Sequence, residues 1–424
     1  MSRLAIEGGA PVIQEPLPQG RGGGPGVSLI GSEEIAAVTE VLASGQLFRY
    51  HPSSRVREFE RKAAEWIGVR HALMVNSGTS ALICALTALG IGPGDEVVVP
   101  AYTYIATAAA VVAVGAVPVV AEIDESLGLD PTDVQRKITP WTRAIIPVHM
   151  QGVPCRLAAI TEIARAHSLL IVEDCCQCIG GRYHGRVVGT WGDAGAWSLN
   201  YYKIITCGEG GLVFMNDDVA YERACFAADP ALPMWMRDSI PSDGWLTPPF
   251  SSQCYRPSET LGAIALVQLS KLDRILSHTR ALKRAFLREL AKPRCYTLQS
   301  VDDPEGDCGI SAAIIVRDQR LASRFAEALT AEGLPCGTAH NEGFPDRHIY
   351  RYWDSVLQKN SHHPHASPWK HAAYAGNVDY SPDMCPRTLD ILGRALRFGF
   401  NMNMTEEHAA LMAHAINKVD AALA

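Results

Sequence analysis

The sequence predicts an α/β protein whose core is a mostly parallel β-sheet flanked by helices. Short apolar runs alternate with segments of helical periodicity over the first two thirds of the 424-residue chain. Several of these runs, such as 97–99 and 144–148, have no polar residue at alternate positions. Strands of that composition are buried on both faces, which is typical of parallel sheets covered by helices.

The predicted elements follow one another in a regular order. Apolar residues spaced by three and four indicate helices, and short apolar runs bounded by turn residues indicate strands. Helices are predicted over 33–43, 56–66, about 80–89 and 157–166, and strands over 71–75, 96–99, 118–123, 144–148, 169–172 and 211–215.

The length of the chain suits one large domain and one smaller one, at roughly 100 to 200 residues per domain. A loop-rich region predicted over 229–258 is followed by a long helical segment that starts at Glu259. We predict an N-terminal arm over 1–30, a large domain over 31–270 and a smaller C-terminal α/β domain over 271–424.

Charge and hydropathy argue against two classes of partner. The net charge of -7 provides no basic surface, so nucleic acid is not expected. The uncharged stretch 97–121 is broken by Pro100, Gly115 and Pro118, and we predict strand, helix and strand there instead of a membrane span.

Because Glu7 interrupts the first apolar residues, no secretory signal is predicted, and a cytoplasmic location is expected.

The twelve cysteines include one C-x-x-C spacing, at Cys175 and Cys178. A thiol redox or metal protein built on this pair is one alternative. No second pair completes a four-thiolate cage, so we expect reduced, buried thiols and predict no metal site. The histidine-rich stretch 362–371 is predicted to be a loop around Pro364 and Pro368.

Lys203 has the sequence surroundings of a Schiff-base lysine. It lies between the polar turn 198–202 and the glycine-rich stretch 206–211, and Asp174 ends an apolar run upstream. A lysine amine reacts with an aldehyde only when deprotonated, so its surroundings must lower a pKa that is ordinarily about 10.4. The arrangement suggests a pyridoxal phosphate (PLP) site, and the alternative is a solvated surface lysine.

The segment Asn76-Ser77-Gly78-Thr79-Ser80 ends a predicted strand and opens a helix. Its glycine allows a tight turn, and the free amides and dipole of the helix N-terminus favour a bound anion. The segment therefore suggests a phosphate cup. An ordinary strand-to-helix turn capped by Ser or Thr is the alternative.

Three further side chains suit a PLP ring. Asp174 follows a buried strand, where a protonated pyridine nitrogen would be its cationic partner and would keep the ring an electron sink. Gln177 could donate to the phenolate oxygen, and Tyr104 could stack on the ring. A helix cap is the alternative for Asp174, and core packing is the alternative for Tyr104.

Taken together and in this order, these motifs resemble the DegT/DnrJ/EryC1/StrS sugar aminotransferases, which have the aspartate-aminotransferase-like (PLP fold type I) architecture. The resemblance covers nearly the whole chain. The matching stretches are 76–82, 94–100, 173–177, 198–203, 208–211 and 258–273.

The resemblance implies a role for each matching residue. Lys203 would form the Schiff base and move protons during transamination. Asp174 would bind the pyridinium nitrogen, Gln177 the phenolate oxygen and Tyr104 the ring face. The phosphate would be held by Gly78, Thr79, Ser80 and Ser198. Lysine at this position favours transamination, because the dehydratases of the family carry histidine there.

The resemblance also implies the reaction, which is transfer of an amino group from glutamate or glutamine to a keto-sugar or keto-cyclitol in antibiotic or surface-carbohydrate biosynthesis. Arg49 and Tyr50 are candidates for the substrate cleft, with a structural ion pair as the alternative for Arg49. An aminohydroxybenzoate-synthase-like enzyme and a non-catalytic PLP-binding or regulatory protein are the alternative functions.

One segment departs from the family pattern. Family members often read Asn-Tyr-Arg-Met-Ser, with the Asn reaching the PLP phosphate of the neighbouring subunit, where this chain reads Cys254-Tyr255-Arg256-Pro257-Ser258. A thiol is a much weaker hydrogen-bond donor than an amide. A homodimer is implied by the resemblance, and Cys254 puts this contact between subunits in question.

Overall fold

The structure is a computed structural model that describes residues 3–230, 233 and 244–424. The strands in these ranges are β1 (His71–Val75), β2 (Glu96–Pro100), β3 (Val117–Ala121), β4 (Thr142–Ile145), β5 (Leu170–Asp174), β6 (Arg182–Tyr183), β7 (Arg186–Val187), β8 (Ala194–Ser198), β9 (Gly211–Met215), β10 (Tyr296–Leu298), β11 (Ser311–Val316) and β12 (Ala395–Gly399).

The α-helices of the same ranges cover both faces of the main sheet and pack on the second one. They are α1 (Pro25–Ser28), α2 (Ser32–Ser44), α3 (Arg55–Ile67), α4 (Gly78–Ala88), α5 (Ala106–Ala113), α6 (Pro131–Lys137), α7 (Leu157–His167), α8 (Asp218–Ala228), α9 (Glu259–Glu289), α10 (Gln319–Ala331), α11 (Asp354–Leu357), α12 (Pro386–Arg394) and α13 (Glu406–Leu423).

The main sheet has seven strands in the order β1-β9-β8-β5-β4-β2-β3. The pairs from β8 to β3 are parallel, and β9 runs antiparallel to both of its neighbours, β1 and β8. The predicted mostly parallel sheet is therefore confirmed. The carboxyl ends of its parallel strands lie at one edge, where open sheets of this kind bind ligands.

Both faces of this sheet are buried, as its apolar strands require. Leu73 and Val75 of β1 join one core with residues of α4, α5 and α8. Ala72 and Met74 of the same strand join a second core with residues of α3, α7 and α9. Side chains alternate between the faces of a strand, so a run without polar residues supplies two cores.

Two predicted strands end earlier than the sequence indicated. The structure ends β3 at Ala121 and β4 at Ile145. Pro147 has no N–H to donate, which explains why the ladder of β4 is not extended through it. Beyond it, Val148 keeps only an isolated bridge to Asp174.

The uncharged stretch 97–121 forms β2, α5 and β3, as predicted. Among the described residues, no helix is both long and apolar enough to cross a membrane. The predicted loop-rich region 229–258 falls partly outside the described residues, which omit 231–232 and 234–243, and its described part from 244 onward contains no helix or strand. The histidine-rich stretch 362–371 is a loop with two short 3-10 turns.

The C-terminal part of the chain has its own antiparallel sheet of β10, β11 and β12. Its core also includes Leu4, Ile13 and Leu17 of the N-terminal arm. The arm is fastened there by the fully buried Glu332, whose carboxylate accepts the N–H groups of Ala5 (2.8 Å) and Val12 (2.9 Å). The predicted domain boundary at 270/271 falls inside the continuous helix α9, and the division stays a prediction.

Candidate active site

A pocket of about 470 Å³ opens at the carboxyl edge of the main sheet. It collects residues from the ends of β1, β2, β5 and β8 and from the loops that follow them. Seven of the eight predicted site residues line it, namely Gly78, Thr79, Tyr104, Asp174, Gln177, Ser198 and Lys203. The fold therefore brings together side chains that are scattered over 126 positions of sequence, from 78 to 203.

The N-terminus of α4 forms one end of the pocket. Ser77 caps the helix by accepting the N–H of Ser80 at its Oγ (3.1 Å). The N–H groups of Gly78 and Thr79 find no acceptor within the described part of the chain. A Cβ atom on Gly78 would lie 2.6 Å from Cβ of Ser198, so glycine allows the helix to approach β8. Free amides at a helix N-terminus are the donors that a phosphate needs.

The two serines predicted to bind phosphate differ in position. Ser198 lines the pocket, and its Oγ accepts only a long bond from the N–H of Asn200 (3.4 Å), which leaves its hydroxyl free to donate. Ser80 is buried, and its Oγ donates to Oδ1 of Asn76 (2.7 Å) and contacts Oγ of Ser77 (2.8 Å). The hydroxyl of Ser80 thus supports the helix cap and does not line the pocket.

Asp174 is the last residue of β5 and lies buried on the floor of the pocket. Its Oδ1 accepts the N–H of Cys176 (3.1 Å), and its Oδ2 accepts the hydroxyl of Thr107 (2.8 Å). The Thr107 hydroxyl in turn contacts that of Thr103 (2.8 Å). The carboxylate forms no ion pair with a described residue, so a protonated ring nitrogen would suit it as a cationic partner.

Glu173, directly before Asp174, anchors the end of β5. Its fully buried carboxylate accepts three backbone N–H groups at 2.6 to 2.7 Å, from Gly189, Trp191 and Gly192.

The carboxylate of Glu173 also contacts Nε2 of His149 (3.2 Å), whose Nδ1 accepts the N–H of Cys155 (3.1 Å). Since Nδ1 is an acceptor, Nε2 carries the proton and donates to Glu173. This network fixes the strand end from which Asp174 reaches the pocket.

One group of metal-type side chains clusters among the described residues. His149, Glu173 and Cys175 offer ligand atoms that all lie within 4.8 Å of one another, and all three residues are buried. The hydrogen bonds just described occupy His149 and Glu173, and burial raises the pKa of the Cys175 thiol well above its ordinary value. A neutral thiol beside two occupied ligands does not fit a metal ion.

The C-x-x-C cysteines do not pair with each other in this structure. The Sγ atom of Cys178 lies 3.6 Å from that of Cys308, while the thiol of Cys175 contacts the carbonyl of Glu173. All three of these cysteines are fully buried. The arrangement fits reduced thiols in a core better than a redox pair at a surface.

Lys203 reaches the pocket from the loop after β8, and its N–H donates to the carbonyl of Asn200 (3.0 Å). In the described ranges its Nζ has no hydrogen-bond or ion-pair partner. Burial, followed by the charge of Asp174, raises the pKa of the neighbouring Cys176 thiol, and the charge of Lys203 opposes that rise. A lysine that lines a pocket without a partner is unlike a solvated surface lysine and fits a Schiff-base lysine.

The two remaining predicted residues, Gln177 and Tyr104, also line the pocket. Gln177 accepts the N–H of Gln151 at its Oε1 (3.2 Å), so its Nε2 is available to donate to a phenolate oxygen. Tyr104 is 49% exposed and lies at the pocket mouth, where its ring centroid is 5.3 Å from that of His348. The pocket therefore offers donors that fit the phosphate and the phenolate oxygen of PLP, and an acceptor, Asp174, that fits its protonated pyridine nitrogen.

Several lining residues were not predicted, including Thr103, Thr107, Cys176, Asn200, Tyr202, Glu209 and His348. Thr103 and Thr107 are four residues apart around the start of α5, a spacing that could have indicated one helix face. His348 carried no such signal. It comes from a distant loop, where its ring contacts Asp346 (2.8 Å) and its carbonyl accepts the N–H of Thr103 (2.8 Å).

Arg49 and Tyr50 do not line the pocket as the described residues define it. Arg49 is 2% exposed, and its Nη2 lies 2.9 Å from both carboxylate oxygens of Glu60. The hydroxyl of Tyr50 donates to Oδ2 of Asp229 (2.8 Å). Of the two roles considered for Arg49, the structure supports the ion pair.

A mostly parallel seven-stranded sheet is typical of PLP enzymes of fold type I when its carboxyl edge presents a buried carboxylate, a helix N-terminus and a lysine that has no partner among the described residues. Comparison with protein-family models gives the particular family. Residues 28–392 match the model of the DegT/DnrJ/EryC1/StrS aminotransferase family. The chain belongs to this family and is a PLP-dependent aminotransferase.

Relatives of known assignment are similar over most of the chain. A protein of Streptoalloteichus tenebrarius, provisionally assigned as an L-glutamine:3-amino-2,3-dideoxy-scyllo-inosose aminotransferase, is 41% identical over 343 residues, which cover 78% of this chain and 79% of that protein. The L-glutamine:2-deoxy-scyllo-inosose aminotransferase of Streptomyces kanamyceticus is 33% identical over 367 residues, covering 80% and 81%. GDP-perosamine synthase of Caulobacter vibrioides is 39% identical over 236 residues, covering 55% and 62%.

Solved structures show the same fold. The 3-amino-5-hydroxybenzoic acid synthase structure matches with a TM-score of 0.76 and 25% identity, covering 97% of this chain and 99% of that one. The DesV structure from S. venezuelae matches with a TM-score of 0.70 and 29% identity, covering 92% and 94%.

Proposed function

We propose that this aminotransferase moves the amino group of glutamine or glutamate to the ketone of a cyclitol or sugar, in the biosynthesis of an antibiotic or a surface carbohydrate. The observation that carries the proposal is that Lys203, which has no side-chain partner within the described part of the chain, lines one pocket with the buried Asp174. The names of the relatives support the substrate class, since two of them, one assigned provisionally, specify L-glutamine and a scyllo-inosose, and a third is GDP-perosamine synthase.

In this proposal, one group of pocket residues binds the phosphate of PLP. Gly78 and Thr79 donate backbone N–H groups to the phosphate, and Ser198 donates its hydroxyl. Ser80, the fourth residue predicted at the phosphate, contributes by holding the cap residue Ser77. When bound, the cofactor supplies the electron sink that stabilises negative charge at the substrate carbon.

The remaining residues orient the ring and handle protons. Asp174 holds a proton on the pyridine nitrogen, and Gln177 donates its Nε2 to the phenolate oxygen. Lys203 Nζ takes the proton from the substrate carbon and returns it, a role that requires an amine inside the pocket and within reach of that carbon. Tyr104 covers the ring face at the mouth of the pocket.

The mouth of the pocket suits a substrate with several hydroxyl groups. Polar side chains with both donors and acceptors line it, and they are Asn200, Tyr202, Glu209 and His348. A few convergent polar groups in a partly apolar cleft fix the orientation of a small ligand. We therefore place the ring hydroxyls of the substrate among these four residues.

We also propose a cytoplasmic homodimer. Leu47 and Phe48 are each about half exposed, and the guanidinium of Arg256 lies 5.2 Å from the centroid of the Phe48 ring. Arg256 lies two residues after Cys254, in the segment whose family counterpart reaches the neighbouring subunit. A second copy of the chain would cover Leu47 and Phe48 and bring Cys254 close to its phosphate site.

The test of the function begins with PLP and the wild-type chain. We expect an absorbance of lysine-bound PLP that changes on addition of glutamine or glutamate, followed by amination of a scyllo-inosose or a nucleotide-linked keto-sugar. Lys203→Ala should lose the absorbance and the turnover, whereas Lys292→Ala, at an exposed position, should keep both.

Other outcomes would contradict the proposal in recognisable ways. A wild-type chain that binds no PLP would overturn it. Release of water with aromatisation of an aminoshikimate-like substrate would establish the aminohydroxybenzoate-synthase alternative. PLP binding without a spectral response to any donor or ketone would favour the non-catalytic alternative.

A further inference from the structure

The N-terminal arm contains a run of glycines that packs directly against the loop carrying Lys203. We call residues 22–26 the glycine strap. The N–H of Gly24 donates to the carbonyl of Tyr201 (3.0 Å), and the hydroxyl of Tyr201 donates to the carbonyl of Arg21 (2.9 Å). The loop is therefore joined by one hydrogen bond to the strap and by a second, in the opposite direction, to Arg21 directly before it.

Gly24 has no space for a side chain. A Cβ atom at this position would lie 2.2 Å from the carbonyl oxygen of Lys203 and 2.4 Å from that of Tyr202. The backbone angles of Gly24, φ -72° and ψ 179°, are open to any residue. Glycine is thus required by the close approach to the lysine backbone and not by the local conformation.

The same contact continues along the loop. A Cβ atom on Gly23 would lie 2.7 Å from the carbonyl oxygen of Tyr201. One on Gly26 would lie 2.9 Å from Cα of Ile205 and 3.0 Å from the carbonyl oxygen of Ile204. The strap therefore touches the backbone of the loop on both sides of Lys203.

The arm in front of the strap is held by the C-terminal part of the chain. The side-chain amide of Asn401 donates to the carbonyl of Pro18 (2.9 Å), and that of Asn403 donates to the carbonyl of Gln19 (2.7 Å). Both asparagines follow β12. A strap fixed in this way can resist displacement of the loop.

We propose that the glycine strap is a positioning element for Lys203. Because Nζ of Lys203 has no hydrogen-bond partner in the described ranges, the flexible side chain is placed mainly by its backbone. The strap bears on that backbone and so sets where the amine reaches into the pocket. The inference rests on the proposed role of Lys203.

The test compares two alanine variants. Gly24→Ala adds a methyl group against the Lys203 backbone. Gly20→Ala is the matched control, because its Cβ would lie 3.7 Å from its nearest neighbour, which is an ordinary contact. In the purified chain we expect faster amide hydrogen exchange over residues 199–207 for Gly24→Ala and wild-type exchange for Gly20→Ala.

Comparing two ligands, PLP and pyridoxamine phosphate, distinguishes a misplaced Lys203 from a general loss of structure. In Gly24→Ala the retention of PLP through the bond to Lys203 should fall about 10-fold or more. The reason is that an amine displaced by about 1 Å is no longer held where it can form this bond, and a displacement of that size can lower a reaction rate about 100-fold. Pyridoxamine phosphate makes no bond to the lysine, so its affinity should be the same in all three proteins. If Gly24→Ala lost affinity for both ligands equally, the proposal would be overturned. The same would follow if its amide hydrogen exchange and its PLP retention were those of the wild type.

If Gly24→Ala does not fold, a second variant tests the positioning role of the glycine strap. Tyr201→Phe removes the bond to Arg21 without adding an atom, and we expect a smaller change of exchange and PLP retention in the same direction. Wild-type behaviour of this variant would then reject the proposal. If the wild-type chain bound no PLP while Gly24→Ala still exchanged faster than Gly20→Ala, the proposed function would fail and the packing role of the strap would stand.

Discussion

At the scale of single residues, the site depends on how Asp174 is held. Its carboxylate is buried and accepts two neutral donors, the N–H of Cys176 and the hydroxyl of Thr107. A charge in such a position is costly unless a cation joins it, and the ring nitrogen of PLP becomes that cation when it is protonated. Thr107 orients the carboxylate that would accept the N–H of this ring nitrogen.

We predict that Thr107→Val lowers kcat more than Thr107→Ser does. Valine removes the hydroxyl and leaves Oδ2 of Asp174 without that donor, whereas serine keeps it. Loss of a hydrogen bond to a charged group costs about 1.5 to 3 kcal/mol, or roughly 10- to 150-fold in rate if the loss falls on the transition state. Steady-state kinetics of the two variants would check the difference, and equal kcat values would contradict the orienting role of Thr107.

At the scale of elements, a buried ion pair joins α3 to the segment before it. Arg49 contacts both carboxylate oxygens of Glu60, and one of these also accepts the N–H of Met74 in β1 (2.7 Å). Burial raises the pKa of Glu60, while the charge of Arg49 opposes that rise. The pair thus connects a loop, a helix and the first strand of the main sheet.

We predict that Glu60→Gln lowers the free energy of unfolding by about 3 to 5 kcal/mol, because it leaves the buried guanidinium of Arg49 without its carboxylate. The double variant Glu60→Gln, Arg49→Met should recover part of this loss, since both charges are then absent. Denaturant unfolding of the three proteins would measure it. A double variant less stable than Glu60→Gln would show that the charge itself is not the cause.

The contact of Tyr50 with Asp229 predicts a pH dependence. Burial, with the hydrogen bond and the charge of Asp229, raises the pKa of Tyr50 from 10.0 to about 12. A raised pKa in the folded state means that the tyrosine favours folding fully below pH 10, and that this contribution is lost as the pH rises toward 12. The stability difference between wild type and Tyr50→Phe should therefore be constant below pH 10.

Unfolding experiments at about pH 8 and about pH 11 would check this expectation, because the difference should shrink at the higher pH. The comparison with Tyr50→Phe is needed, since other tyrosines such as Tyr296 also have a raised pKa and titrate in the same range. A difference that grows with pH would contradict the assignment.

At the scale of the whole molecule, the proposed dimer bears on Cys254. The family resemblance places an asparagine amide near this position, at the phosphate of the partner subunit, and a thiol donates a weaker hydrogen bond. Cys254 is exposed, and the N–H of Tyr255 beside it donates to the carbonyl of Ala228 (2.8 Å). The segment is therefore held while its cysteine faces outward.

We predict that Cys254→Asn binds PLP severalfold more tightly than wild type, and that Cys254→Ala binds it about equally. The reason is that only the asparagine adds a strong donor to the neighbouring phosphate. Dialysis against buffer and sedimentation of both variants would measure retention and assembly together. A monomeric wild-type chain, or equal retention in the two variants, would contradict the proposed contact.

Much of the site followed from local sequence. The strand ends, the helix that opens at Gly78 and the position of Lys203 are set by short motifs and apolar periodicity, which act over a few residues. These features predicted the mostly parallel sheet and seven of the residues that line the pocket. The turn chemistry around Ser80 was also local, although its hydroxyl bonds to Asn76 and not toward the pocket.

Apolar periodicity in the sequence was enough to predict the fold class, and the resemblance of several separate motifs to a known family led to the family and to the proposed role of Lys203. Only the tertiary structure decided that Arg49 pairs with Glu60, that His348 enters the pocket and that the glycine strap lies against Lys203. The physical reason is that these contacts join segments far apart in the chain. Their partners are chosen by packing of the whole molecule, which no local pattern records.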